Sequence, residues 1–106
     1  MIANQELLIQ LKKHLQKNYG NSVRDVILFG SRTSSNSTDY SDYDVLIILN
    51  NDYSGKDENK ILDLCYDIDL KYNILLDVHL MSARELNSAR GKQPIFIKAL
   101  NTGIFA

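Results

Sequence analysis

Hydrophobic and polar positions follow two rhythms along this chain. Leu7, Leu8, Leu11 and Leu15 recur at helical spacing behind Asn4, which predicts a first helix from an Asn4 cap to about Asn18, with Gly20 placed as its stop. Val23 to Phe29 and Val45 to Leu49 instead carry aliphatic side chains on both faces, the pattern of central strands covered from two sides. Helical spacing returns from about Asp57 to Tyr72, with Ile61, Cys65, Ile68 and Tyr72 on the buried side and Asp63, Asp67 and Lys71 on a solvated one. Ile74 to Met81 reads as a third strand. Leu76, Val78 and Leu80 line one of its faces, and Leu75, Asp77, His79 and Met81 the other. Ser82-Ala83-Arg84-Glu85 has the form of a capping box for a short helix through about Ser88. Pro94 suits the first turn of a last helix with Ile95, Ile97, Ala99 and Leu100 apolar, Gly103 its stop, and Ile104-Phe105 a short closing strand. The expected fold class is α/β (α+β): a small mixed β-sheet with helices packed on it.

Bulk properties narrow the functions. A chain of 106 residues is expected to form one domain spanning 1–106. A formal net charge of -1 argues against tracking along nucleic acid, which needs a surplus of Lys and Arg on one face. The sequence contains no apolar run of membrane-spanning length, and Met1-Ile2-Ala3-Asn4-Gln5-Glu6 lacks a signal-peptide pattern, so a cytoplasmic location is expected. Cys65, the single cysteine, falls among Ile61, Leu62 and Ile68 and reads as a core residue. Asn36-Ser37-Thr38 matches a glycosylation acceptor that has no meaning without secretion. His14 borders the first apolar stripe, the ordinary place for a boundary histidine.

Polar residues at the strand ends carry the candidate chemistry. Asp42 and Asp44 are two residues apart at the entrance to an apolar strand and therefore project from one side of it. Two charges about 4 Å apart repel by about 1 kcal/mol in water and about 4 kcal/mol at intermediate dielectric, so a cation is expected beside them. Gly30-Ser31 ends the preceding strand; a glycine there admits close approach of a ligand, and amides entering a helical turn would seat an anion. Residues 33–41 are almost entirely polar and are expected to form a loop with at most one helical turn. A calcium loop at Asp39 to Asp44 is rejected, because its glycine and closing glutamate are absent and a strand follows. Asp77, inside an apolar strand, needs a partner or a metal. With all three strands in one sheet, Asp42, Asp44 and Asp77 can converge before the Gly30-Ser31 corner, a site for Mg²⁺ bridged to a polyphosphate.

Gly30-Ser31, ten residues, Asp42-Tyr43-Asp44 on a strand and Asp77 on another resemble the nucleotidyltransferase superfamily that includes DNA polymerase beta, over essentially the whole chain. In size and order the chain is similar to the minimal nucleotidyltransferases, the antitoxin partners of HEPN-domain toxins. The resemblance implies that Asp42, Asp44 and Asp77 are catalytic and hold metal, with two Mg²⁺ ions, and that Gly30, Ser31 and Arg32 bind the nucleotide. Family members often carry a further Arg or Gly just after this point, where this chain has Thr33-Ser34-Ser35-Asn36. It further implies transfer of AMP from ATP to a tyrosine hydroxyl of a HEPN toxin, in a hetero-oligomer. Larger members add a domain for the acceptor; here a partner is expected to bring it, which weighs against a small-molecule acceptor. The alternative is a non-catalytic antitoxin that neutralises its HEPN partner by binding. His79 shares a face with Asp77 but reads as a satisfied or partly exposed histidine.

Overall fold

Each element begins and ends at a local signal in the sequence. The computed structural model describes residues 2–30 and 42–106. Helix α1 spans Asn4–Asn18 and buries Leu7, Leu8, Leu11 and Leu15. Ala3 rather than Asn4 is its capping residue and makes no side-chain cap bond; the Leu7 N–H donates to the Ala3 carbonyl at 2.9 Å, so Asn4 is already helical. Beyond its end Gly20 takes φ +133°, as a helix stop requires.

Strands β1 (Val23–Phe29), β2 (Tyr43–Leu49), β3 (Leu76–Ser82) and β4 (Ile104–Phe105) form one sheet in the order β3-β2-β1-β4. β1 is antiparallel to β2 and to β4, whereas β2 and β3 are parallel. A parallel pair needs a crossover, and helix α2 (Gly55–Tyr72) supplies it. The helix starts two residues before the expected Asp57, because Ser54 and Asp57 form a reciprocal capping box. Its left-handed end at Asn73, φ 53°, and the Ile74 N–H bonded to the Asp69 carbonyl delay β3 from Ile74 to Leu76. The Leu76 N–H then donates to the Asp69 carboxylate at 3.0 Å.

Two apolar layers flank the sheet. On one face α1 and α2 cover Val26, Leu28, Val45, Ile47 and Leu80, with Ile61, Cys65 and Ile68 pointing inward. Burial, with the charges of Asp69 and Asp67 adding, pushes the Cys65 thiol up to about 12, which keeps it an inert core group. Tyr72 is half-buried at the rim. His14 Nε2 lies 2.9 Å from Asp67 Oδ2 and ties α1 to α2.

On the opposite face helix α3 (Pro94–Thr102) covers Ile27, Phe29, Leu46, Ile48 and Met81. Phe96 and Ala99 point inward, while Ile95 and Ile97 are 47% and 44% exposed, so the buried stripe of α3 runs through Phe96 and Ala99. Ser82 and Glu85 do close a capping box, with bonds of 3.1 and 3.3 Å, over the single 3-10 turn Arg84–Asn87. A Cβ on Gly103 would fall on the Ala99 carbonyl and the Ile27 side chain, and this tight corner returns the chain to β4. Among the described residues no helix is long and apolar enough to cross a membrane.

Candidate active site

Strand register brings the polar groups to one end of the sheet. Asp44 is the second residue of β2, paired with Phe29 at the end of β1 on one side and with Asp77 near the start of β3 on the other. In adjacent parallel strands in register the two carboxylates emerge side by side. Both project to the α3 face, beyond the apolar layer formed by Phe29, Leu46 and Phe96.

Asp77 is more open than an aspartate in an apolar strand suggests. β3 is an edge strand, and near its start the Asp77 side chain remains 53% exposed, so water bears part of its charge. Asp44 is half-buried. Burial first, then the hydrogen-bonding contact and charge of Asp77, raise its carboxyl above the usual range; His79 opposes the shift and Asp42 adds to it. Asp42 precedes β2 and is exposed, close enough to act on Asp44 through its charge. The three acids therefore share one electrostatic neighbourhood.

Gly30 explains how the backbone fits against these groups. It takes φ +81°, which L side chains rarely adopt, and a Cβ there would fall on the Asp44 carboxylate, Oδ2 first. Only glycine leaves room for the carboxylate at this corner. Ser31, Arg32 and the polar stretch 33–41 lie outside the described residues.

His79 is partly exposed, as its sequence position suggested, and it also lies beside this group. Its ring sits 5.6 Å from that of Phe29 and 5.8 Å from that of Phe96, and its Nε2 lies 3.7 Å from Asp77 Oδ2. Donor atoms of Asp44, Asp77 and His79 all lie within 4.8 Å of one another. The signal available beforehand was the Asp-x-His spacing, which puts both side chains on one strand face.

The donor set fits a divalent cation. Among the described residues no lysine or arginine forms an ion pair with Asp42, Asp44 or Asp77, while the carboxylates of Asp44 and Asp77 come together, that of Asp44 in the space Gly30 leaves. Such oxygens are the ligands that Mg²⁺ takes together with substrate phosphates. Asp44 and Asp77 would hold it, whereas Asp42 is not among the donors that lie within 4.8 Å of one another and reaches Asp44 only through its charge.

Comparison with known proteins agrees with this geometry. The nucleotidyltransferase domain family matches residues 8–99. A protein of Methanocaldococcus jannaschii named "Putative protein adenylyltransferase MJ0604" is 30% identical over 73 residues, 69% of this chain and 68% of that protein. The match spans both sheet faces and the acid-bearing strand ends, and the chain belongs to the nucleotidyltransferase domain family.

Proposed function

We propose that the chain is a Mg²⁺-dependent protein adenylyltransferase that moves AMP from ATP to a hydroxyl, a tyrosine of a HEPN-domain toxin, and so acts as its antitoxin. The observation that supports this most is the pairing of Asp44 with Asp77 beside Gly30. The archaeal relative's name supports protein adenylylation, and the minimal-nucleotidyltransferase resemblance supports the toxin as acceptor.

The reaction forms a bond between the acceptor oxygen and the α-phosphorus and breaks the bond from that phosphorus to pyrophosphate. Divalent ions held by Asp42, Asp44 and Asp77 would supply Lewis-acid activation of the hydroxyl and neutralise the leaving group. Asp77, the more open carboxylate of the pair, would take the hydroxyl proton. Gly30 lets the backbone pass close beside the Asp44 carboxylate, and Gly30, Ser31 and Arg32 would contact the phosphates. Strand register fixes Asp44 beside Asp77, which favours in-line alignment of the reacting atoms.

Incubation with α-labelled ATP, Mg²⁺ and a HEPN protein encoded beside this one tests the reading. Label on the partner is the expected result, lost in Asp44→Asn and Asp77→Asn. A second reading, neutralisation by binding alone, is favoured by Leu62, Tyr66 and Leu70, which are 40%, 59% and 66% exposed and recur every four residues along one side of α2. Such a stripe suits a protein partner. Inhibition of the toxin without label would select it.

A further inference from the structure

His79 is held in place by groups that do no chemistry. Phe29 from β1 and Phe96 from α3 contact its ring at tilted and edge-on angles of 49° and 73°, and its side chain is 27% exposed. Two aromatic neighbours on different elements fix the ring plane and direct Nε2 toward the Asp44–Asp77 pair.

The spacing of the donors indicates what that nitrogen does. At 3.7 Å, Nε2 and Asp77 Oδ2 are too far apart for a hydrogen bond. Two ligands on one ion, each at about 2.1 Å, stand about 3.0 Å apart when adjacent and about 4.2 Å apart when opposite. The separation falls between these limits. Donor atoms of Asp44 lie within 4.8 Å of both, on the same side of the sheet.

We propose that His79 Nε2 joins the Asp44 and Asp77 carboxylates as a third donor to the bound ion, and that this nitrogen tilts the site from Mg²⁺ toward first-row transition ions such as Mn²⁺. The inference rests on the metal-dependent reading above and refines its ion. Imidazole is a softer donor than carboxylate and binds transition ions better than Mg²⁺, whose small, hard ion keeps to oxygen. His79 is thus a specificity-determining ligand in a centre otherwise built from oxygen.

The test uses the whole chain with Mn²⁺ and inorganic triphosphate, a probe that contains no nitrogen. Pulsed paramagnetic resonance of the bound Mn²⁺ detects a coordinated imidazole directly. The expected result is a nitrogen modulation that changes character when the protein carries ¹⁵N-histidine. The chain has 2 histidines, so the modulation must survive His14→Gln and vanish in His79→Gln. Mn²⁺ affinity in His79→Gln is expected to fall about tenfold, with Mg²⁺ affinity moving far less. The labelled wild-type protein gives the answer even if His79→Gln folds poorly. Mn²⁺ bound with an affinity that depends on Asp44 but without histidine modulation overturns this inference and leaves the transferase reading standing. Mn²⁺ binding that is absent, or indifferent to Asp44→Asn, overturns both.

Discussion

At the scale of single residues the site is a balance of charge and space around Asp44. Its carboxyl holds its proton to higher pH in the fold than in the unfolded chain, through burial first and then Asp77. The native state therefore binds more protons than the unfolded state between those two values, and metal-free stability falls as pH rises through that window. Above it the penalty is constant. Asp44→Asn removes the titration, so chemical denaturation across pH should find the variant at least as stable as wild type on the neutral side, while transfer is abolished. A wild type that gains stability across the window relative to the variant would contradict the placement of the acid. Gly30→Ala tests space rather than charge: the positive φ alone costs about 1 to 2 kcal/mol, and the new methyl would displace the Asp44 carboxylate. Thermal melting and ion binding should both decline. The acid side of this site was legible because alternation in a strand fixes which side chains share a face. The shared strand face of His79 and Asp77 was legible too, but its reading as a partly exposed histidine, which its 27% exposure matches, gave it no role, because the direction of its ring depends on Phe29 and Phe96 from other elements.

At the scale of elements, apolar rhythm located the helices and strands, and side-chain caps decided where they began. The Ser54–Asp57 box starts α2 ahead of its first apolar residue; aspartate in place of the usual glutamate or glutamine hid that signal. Ser54→Ala should cost about 1 kcal/mol of stability in denaturant titration. The inward side of α3 was harder to read. Ile95, Phe96, Ile97, Ala99 and Leu100 are all apolar, and the sheet beneath decides that Phe96 and Ala99 face it. Phe96→Ala should destabilise the protein by about 3 to 5 kcal/mol, through lost burial and the cavity left behind. It should also free the His79 ring, which imidazole NMR would register as averaging of its orientation.

At the scale of the molecule, the sheet presents three strand ends, from β1, β2 and β3, at one edge, and the proposed chemistry needs all of them. Binding there should stabilise the fold as a unit. With Mg-ATP at about a hundred times its dissociation constant, wild type should gain about 2.7 kcal/mol, and Asp44→Asn should gain none in a thermal-shift measurement. Equal shifts in both proteins would count against the site. Neither the identity of the acceptor nor the proposed seat for the phosphates is carried by the strand pattern, since the first is proposed to be another molecule and Ser31 and Arg32, proposed for the second, lie outside the described residues. The pairing of Asp44 with Asp77 also depends on how far β3 slides along β2. Successive strand residues point to opposite faces, so a shift by one position would send Asp77 to the side covered by α1 and α2. The short link Asn73-Ile74-Leu75 between α2 and β3 thus acts as a ruler: a residue added or removed there that slides β3 by one position should silence the protein and destabilise it together, because Leu76, Val78 and Leu80 would leave the core beneath α1 and α2.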